Sequence, residues 1–166
     1  MFDFVARTDA DTATLWDDLI GAADGVTAGE PDAIANMANV AALCWELLPD
    51  LNWAGFYRML PKDDRAELVL GPFQGRAACI RIALGAGVCG TAAATATTQR
   101  IEDVHAFPGH IACDAASASE LVVPIVVDGR VIAVLDLDSP TPARFTPQDA
   151  AGAEKLCALI AGRLAG

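Results

Sequence analysis

The fold is decided by residues 120–138, which read ELVVPIVVDGRVIAVLDLD. Two apolar runs flank the pair Asp128-Gly129, a pair that is typical of a tight turn between antiparallel strands. The stretch therefore predicts a β-hairpin with strands at 120–127 and 130–138. In the second strand, strict alternation places Asp136 and Asp138 on one face and the neighbouring leucines on the other. The hairpin is thus expected to pack on one side and to carry acids at its end.

The patterns on either side of this hairpin predict an α+β domain. Apolar residues recur at the three/four spacing of helices in the N-terminal and C-terminal parts, and extended apolar runs lie between them. The predicted elements are helices at 11–22, after Pro31, from Val88 and after the Thr146-Pro147-Gln148-Asp149 capping box, and strands at 52–57, 67–70, 78–82 and in the hairpin. We expect a single domain over residues 1–166, with a mainly antiparallel sheet and helices packed on one face.

Charge and hydropathy restrict the partners of the chain. The formal net charge is −11, which repels phosphate backbones and anionic lipids, so we expect neither nucleic-acid nor membrane binding. The longest apolar runs fall short of the roughly 20 residues that a membrane helix needs, and Met1-Phe2-Asp3-Phe4 does not resemble a secretory signal. We expect a cytoplasmic protein whose ligand is a cationic or zwitterionic small molecule.

The five cysteines have different settings. Cys44 and Cys157 lie on the apolar stripes of predicted helices, where free cysteine usually fills the core. Cys89 follows Gly85 and Gly87 at the start of a short helix, and amide groups and the helix dipole favour an anion there. The position therefore predicts a Cys89 thiol that ionises more readily than a free cysteine. A small buried residue at a helix cap is the structural alternative.

The long loop at 103–118 contains a second candidate. Cys113 lies three residues after His110 and eight after His105, and the loop setting with nearby imidazoles suits a nucleophile. A metal site built from His105, His110, Cys113 and Asp114 is the competing interpretation. Cys79, on a predicted strand, carries no signal of its own.

Whether Glu120 joins the two aspartates depends on the geometry of the turn. A two-residue turn at 128–129 places Glu120 on the opposite face of the sheet from Asp136. A bulge at Gly129 that pairs residue 126 with residue 130 brings Glu120 opposite Asp136 instead. We hypothesise the bulge, because it collects Glu120, Asp136 and Asp138 into one pocket for a cation. The alternative is a solvated strand end.

Seven segments between about residue 51 and residue 140 carry a family resemblance. They are NWAGFY (52–57), LVLGPFQG (68–75), ACIRI (78–82), GVCGTA (87–92), VHAFPGHIACD (104–114), SELVVP (119–124) and LDLDS (135–139). In this order, and with these cysteine spacings, they resemble the free methionine-(R)-sulfoxide reductases. That family has the GAF-domain fold, an antiparallel sheet flanked by helices, which agrees with the class predicted above.

The resemblance implies roles for particular residues. The redox cysteines are expected to be Cys79, Cys89 and Cys113. The substrate pocket is expected to contain Trp53, Glu120, Asp136 and Asp138. The resemblance also implies a homodimer, thioredoxin as the external reductant, and no bound cofactor or metal. The chain departs from the family at Ala86, where a basic residue is usual between the two glycines, so Cys89 is expected to be less acidic than in relatives.

The activity implied is reduction of free L-methionine-(R)-S-oxide to L-methionine. A thiolate attacks the sulfoxide sulfur, a cysteine sulfenic acid forms, and a second thiol converts it to a disulfide that thioredoxin reduces. We expect Cys113 to attack, with Cys79 and Cys89 as alternatives for the resolving thiol. Crowded carboxylates are expected to keep one acid protonated for the departing oxygen. The rival functions are a ligand-sensing GAF module and a thiol-based regulator without turnover.

Overall fold

Six strands form one antiparallel sheet in the computed structural model, which describes residues 10–108 and 116–165. The strands are β1 (Trp53–Lys62), β2 (Arg65–Gly75), β3 (Arg81–Ala83), β4 (Gln99–Ile101), β5 (Ser119–Val127) and β6 (Arg130–Ser139). Their order across the sheet is β3-β2-β1-β6-β5-β4. The predicted hairpin is therefore the β5–β6 pair near the middle, and the short β4 was not foreseen.

Four α-helices pack against this sheet. They are α1 (Thr12–Thr27), α2 (Ala33–Leu47), α3 (Gly87–Thr95) and α4 (Pro147–Leu164). The capping box predicted at Thr146 begins α4. The Asp149 amide donates a hydrogen bond to the Thr146 hydroxyl oxygen, and the Thr146 amide donates one to the Asp149 carboxylate. The prediction of an α+β fold with a mainly antiparallel sheet is confirmed.

The two faces of the sheet carry separate apolar clusters. Alternate residues such as Phe56, Leu135 and Leu137 pack under α1, α2 and α4. The prediction of helices on one face therefore holds for the three long helices. The short α3 covers the opposite face, where its apolar residues pack with side chains of β1, β5 and β6. The sequence of α3 gives little apolar signal for a face, because most of its buried residues are small; they are Gly87, Val88, Cys89, Gly90, Ala92 and Ala93.

Cys44 and Cys157 lie in the cluster beneath the long helices, and both are buried. Burial raises the pKa of the Cys44 thiol to about 12 and that of Cys157 well above its usual value. A thiol that stays protonated at neutral pH is a poor nucleophile. Their assignment to the core is confirmed.

The β5–β6 hairpin has a bulge, but at a different position from the predicted one. Asp128 and Gly129 both have left-handed backbones and form a two-residue turn, with Val127 opposite Arg130. The bulge lies further along β6, where Ile132 is the extra residue between pairs 126–131 and 125–133. The bulge at Gly129 was therefore wrong, yet the shift at Ile132 has the same consequence for which residues share a face.

The third strand begins later in the chain than the start of the predicted range of 78–82. β3 begins at Arg81, so Cys79 lies in the loop between β2 and β3 rather than on a strand. The Leu70 amide donates a hydrogen bond to the Ile80 carbonyl oxygen (2.9 Å), which holds the end of this loop against β2. The loop position leaves Cys79 half-buried instead of enclosed in the sheet.

Within the described ranges, every helix is too short or too polar to span a lipid bilayer.

Candidate active site

Three acids meet on the face of the sheet that α3 covers. Glu120 lies directly opposite Asp138, and Asp136 lies opposite Val122. Because residues opposite each other in an antiparallel pair share a face, Glu120, Asp136 and Asp138 all point to the same side. The hypothesis that Glu120 shares a face with Asp136 is confirmed, although Asp138 rather than Asp136 is its direct partner.

Helix α3 brings Cys89 onto these acids. The Cys89 Sγ atom lies 3.9 Å from Glu120 Oε1. Cys89 Sγ and a carboxylate oxygen from each of Glu120 and Asp136 all lie within 4.8 Å of one another. These three residues are only 4%, 7% and 6% exposed, respectively. We call them the thiol–acid cluster.

Burial and mutual repulsion raise the pKa values of the two acids in the thiol–acid cluster. Burial raises the pKa of Asp136 to about 7, even though hydrogen bonds with Cys89 and Glu120 oppose the rise. Burial and the charges of Asp136 and Asp138 raise the pKa of Glu120 well above its usual value. Near neutral pH the cluster therefore holds at least one carboxyl proton, as expected for like charges that cannot all ionise.

The same environment overturns the prediction for Cys89. Burial, followed by the charges of Asp136 and Glu120, raises the pKa of the Cys89 thiol well above its usual value. Cys89 does lie in the first turn of α3, as predicted. However, the helix dipole contributes only a fraction of a charge at close range, and desolvation beside carboxylates outweighs it. Cys89 is thus a thiol rather than a thiolate at neutral pH.

Lowering the pH from about 8 to about 5 is expected to stabilise the fold through Asp136. The pKa of Asp136 is about 7 in the folded state and near 3.8 when unperturbed, so between these values the folded chain binds a proton that the unfolded chain lacks. The free energy of unfolding then rises as the pH falls through 7. Above the folded pKa, Asp136 is ionised in both the folded and the unfolded chain, and the cost of burying its charge lowers stability in full. Urea unfolding at a series of pH values measures the effect.

The control for this pH dependence is Asp136→Asn, which removes the titrating group. The difference in unfolding free energy between wild type and Asp136→Asn is expected to grow in favour of the wild type towards acid pH. If the unfolding free energies of the two proteins change in parallel with pH, the pKa of Asp136 is not raised in the folded state.

A small pocket with a cavity volume of about 10 Å³, room for about one water molecule, lies beside the cluster. Its lining consists of Trp53, Tyr57, Arg76, Ala77, Ala78, Asp136 and Asp138. The Trp53 ring stacks on Tyr57 (5.8 Å between centroids) and on Phe73 (5.2 Å), and its indole nitrogen donates to the Arg76 carbonyl oxygen at 3.1 Å. One wall is therefore a fixed aromatic surface and another carries two acids.

Of the pocket-lining residues, sequence reasoning missed Tyr57 and the 76–78 loop. The Tyr57 hydroxyl donates a hydrogen bond to the Cys79 carbonyl oxygen (3.0 Å), which ties this loop to β1 beside the pocket. The sequence could have indicated Tyr57 as a pocket residue, because it lies four residues after Trp53 and hence on the same face of the strand. Nothing in the sequence indicated the loop itself, because its position depends on where β2 ends.

A glycine in α3 sets the position of Cys89. A Cβ on Gly90 would lie 2.4 Å from the carbonyl oxygen of Ala83, which is closer than a carbon and an oxygen approach each other. The Gly90 carbonyl oxygen accepts a hydrogen bond from the Gly85 amide (2.8 Å). The first turn of α3 can therefore lie against β3 only with glycine at this position.

Gly90→Ala is expected to lower the free energy of unfolding by about 1–3 kcal/mol, the usual cost of overpacking. Turnover should fall as well, since a displaced α3 would expose Glu120 and Asp136, whose burial raises their pKa values. Urea denaturation and steady-state kinetics measure the two effects. Gly21→Ala is the matched control, since its added Cβ has no atom within 4 Å, and its stability should be unchanged or higher. A Gly90→Ala protein as stable as Gly21→Ala would contradict this packing.

The remaining predicted site residues are placed as follows. Cys79, Trp53 and Asp138 lie at or beside the pocket. His105 is exposed in a single 3-10 turn (Val104–Ala106), and its backbone amide donates to Asp103. Cys113 lies outside the described residues, as do His110 and Asp114, so both the nucleophile and the alternative metal site in this loop stay predictions.

Comparison with known proteins gives the same fold and a narrower relationship. The family model described as GAF domain matches residues 36–165. The free methionine-R-sulfoxide reductase of Escherichia coli (strain K12) is 56% identical over 137 residues, which cover 82% of this chain and 81% of that protein. The enzyme of the same name from Saccharomyces cerevisiae is 44% identical over 142 residues, with 82% and 78% covered.

A solved structure of a relative superposes closely on the chain. The free methionine-R-sulfoxide reductase from Neisseria meningitidis, solved in complex with its substrate, has a TM-score of 0.91 and 41% identity, with 98% of this chain and 96% of that chain covered. Identity of this extent over nearly the full length goes far beyond a shared fold. The chain belongs to the GAF-domain proteins and, among them, to the family of free methionine-R-sulfoxide reductases.

Proposed function

We propose that this chain reduces free L-methionine-(R)-S-oxide to L-methionine. Besides family membership, the observation that carries the proposal is the buried thiol–acid cluster beside an aromatic-walled pocket. The pocket acids Asp136 and Asp138 suit the ammonium group of a free amino acid. The stacked rings of Trp53 and Tyr57 suit its S-methyl end.

The protonated carboxyl of the cluster has a direct use in this reaction. Oxide is a very poor leaving group, so the sulfoxide oxygen must receive a proton as its bond to sulfur breaks. A Glu120–Asp136 pair that retains a proton near neutral pH supplies it at the site where the oxygen develops charge. In the proposed step the Cys113 sulfur attacks the sulfoxide sulfur, and oxygen transfer yields methionine and Cys113 sulfenic acid.

We assign the resolving role to Cys79 rather than Cys89. Cys89 is buried with a raised pKa, so its reactive thiolate is scarce at neutral pH. Cys79 is half-buried in the loop beside the pocket and next to the lining residue Ala78. Its thiol condenses with the Cys113 sulfenic acid to form a disulfide and release water. Thioredoxin then reduces the disulfide, and we propose that this cycle operates in a homodimer.

Cys79→Ser is expected to lower steady-state turnover with thioredoxin by at least about tenfold while leaving the first turnover intact, because oxygen transfer precedes disulfide formation. Cys89→Ser should still form the disulfide. Quenched-flow measurement of methionine released per chain, with thiol counting, separates the first turnover from recycling. A Cys79→Ser protein that recycles at the wild-type rate while Cys89→Ser does not would reverse the assignment.

The function is tested by a thioredoxin-coupled assay that follows NADPH consumption. We expect turnover of free methionine-R-sulfoxide, none of the S epimer, and little of an N-acetylated or amidated analogue, because a blocked amine or carboxylate loses its pairing in a closed pocket. Binding of the R-sulfoxide without turnover would favour a ligand-sensing GAF module. Disulfide formation with peroxide alone would favour a thiol-based regulator. Either result would overturn the proposal.

A further inference from the structure

We propose that Cys89, Glu120 and Asp136 form an inhibitory site for a thiophilic divalent cation such as Zn²⁺. The cation occupies the cluster reversibly, competes with the substrate, and is not a resident cofactor. Metal binding itself rests only on the three side chains. The inhibitory consequence rests on the proposed reductase function.

The spacing of the three side chains suits a small cation. Zn²⁺ binds cysteine sulfur at about 2.3 Å and carboxylate oxygen at about 2.0–2.2 Å. At a tetrahedral angle these bonds place sulfur and oxygen about 3.6 Å apart. Cys89 Sγ and Glu120 Oε1 are 3.9 Å apart, and all three donor atoms fit within 4.8 Å. The Cys89–Glu120 pair is therefore about 0.3 Å too far apart for a tetrahedral site, and the pairs with Asp136 are at most about 1.2–1.4 Å too far apart, so modest side-chain shifts would complete a three-ligand set.

An unsatisfied atom within the cluster points independently to a ligand. Asp136 is 94% buried (6% exposed), and its Oδ1 atom is enclosed and accepts no hydrogen bond from the described part of the chain. A buried carboxylate oxygen without a partner is unfavourable, and native proteins usually satisfy it with a donor, a water or an ion. A cation between Asp136, Glu120 and Cys89 satisfies this atom.

The charge around the cluster also favours a cation. The ionisable groups that act on the Cys89 thiol are Asp136, Glu120 and Asp138, all of them carboxyl groups, and a cation that displaces their retained proton relieves their mutual repulsion. Asp136 and Asp138 also line the pocket beside the cluster. The net charge of −11 raises the local concentration of cations around the chain.

The donor set selects the kind of metal. One sulfur and two carboxylate oxygens suit Zn²⁺, Co²⁺ or Cd²⁺, whereas Mg²⁺ and Ca²⁺ prefer oxygen alone. When the ion binds, the S–H bond of Cys89 breaks and the proton shared by Glu120 and Asp136 is released; metal–sulfur and metal–oxygen bonds form, both protons leave to solvent, and no atom changes oxidation state. The bound ion occupies the carboxylates that are proposed to serve the substrate, so reduction stops until the ion is removed.

Anaerobic titration of the reduced chain with Co²⁺ tests the site without any turnover. We expect one Co²⁺ per chain with a sulfur-to-cobalt charge-transfer band, and displacement of Co²⁺ by one equivalent of Zn²⁺. Cys89→Ser should abolish the band, and Asp136→Asn should weaken binding at least about tenfold. Cys79→Ser and Cys113→Ser should retain the band. Circular dichroism of Cys89→Ser and Asp136→Asn establishes that each is folded.

The outcomes separate this site from its rivals. A missing band in the wild type, or a band that survives in Cys89→Ser, would overturn the proposal. A band lost only in Cys113→Ser would place the metal in the 103–118 loop instead. Single-turnover reduction of methionine-R-sulfoxide without external dithiol tests inhibition, which should be competitive and reversed by EDTA. A chain that shows the band but reduces no sulfoxide would refute the proposed function and leave the metal site standing.

Discussion

Replacing Cys113 with serine is expected to abolish reduction of free methionine-R-sulfoxide. A serine hydroxyl is hardly ionised at neutral pH and forms no stable sulfenic acid equivalent, so the first bond to the substrate sulfur does not form. The loss in kcat should exceed about 10⁴-fold, since the covalent step carries much of the rate acceleration. The measurement is methionine formed by Cys113→Ser in single-turnover and thioredoxin-coupled assays.

Cys157→Ala is the matched control for the loss of a thiol. Cys157 lies in the core under the long helices, on the other face of the sheet from the pocket. Removing its sulfur should cost some stability and leave kcat near the wild-type value. If Cys113→Ser retains near-normal turnover, another thiol attacks the sulfoxide and the assignment of the nucleophile is wrong.

Glu120→Gln is expected to lower kcat by about 10²–10⁴-fold, the usual contribution of general acid catalysis. The amide preserves the shape of the side chain but has no acidic proton for the departing oxygen. Asp136→Asn should have a similar effect, because the two carboxyls share the proton. Single-turnover kinetics over a range of pH measures the loss. In the wild type, activity should fall as the pH rises and the shared proton is lost; in Glu120→Gln this fall should be much reduced.

Glu67→Gln is the matched control for the loss of a buried carboxyl. Glu67 is buried on β2, opposite Leu60 of β1 and Ala83 of β3, and belongs neither to the thiol–acid cluster nor to the lining of the pocket. Lys62 and Arg81 pair with it at the surface. Turnover by Glu67→Gln should be close to wild type. A loss in Glu67→Gln as large as that in Glu120→Gln would mean that removing any buried acid disables the fold, and the general acid would be unsupported.

Much of this architecture follows from local pattern. The Asp128-Gly129 turn, the alternation in β6 and the capping box of α4 each have a short-range physical cause, and each is where the sequence predicts it. The separation of Cys44 and Cys157 from the other cysteines follows from helical periodicity in the same way.

The failures have a different origin, since each depends on tertiary packing. The bulge is at Ile132 rather than in the turn, because register is set by which face of β6 must pack beneath the helices. The pKa of Cys89 rises rather than falls, because α3 presses its first turn onto three acids. A sequence shows the start of a helix but not the burial of its first turn. Cys79 lies in a loop because β2 continues to Gly75.

The central claim is tested most directly by mixing the fully reduced chain with free methionine-R-sulfoxide in the absence of any external reductant. Methionine is then quantified per chain, and the disulfide is mapped by mass spectrometry after alkylation. We predict about one methionine per chain and a disulfide between Cys79 and Cys113, with Cys44, Cys89 and Cys157 alkylated as free thiols. No methionine, or a disulfide that contains Cys89 in place of Cys79, would contradict the account.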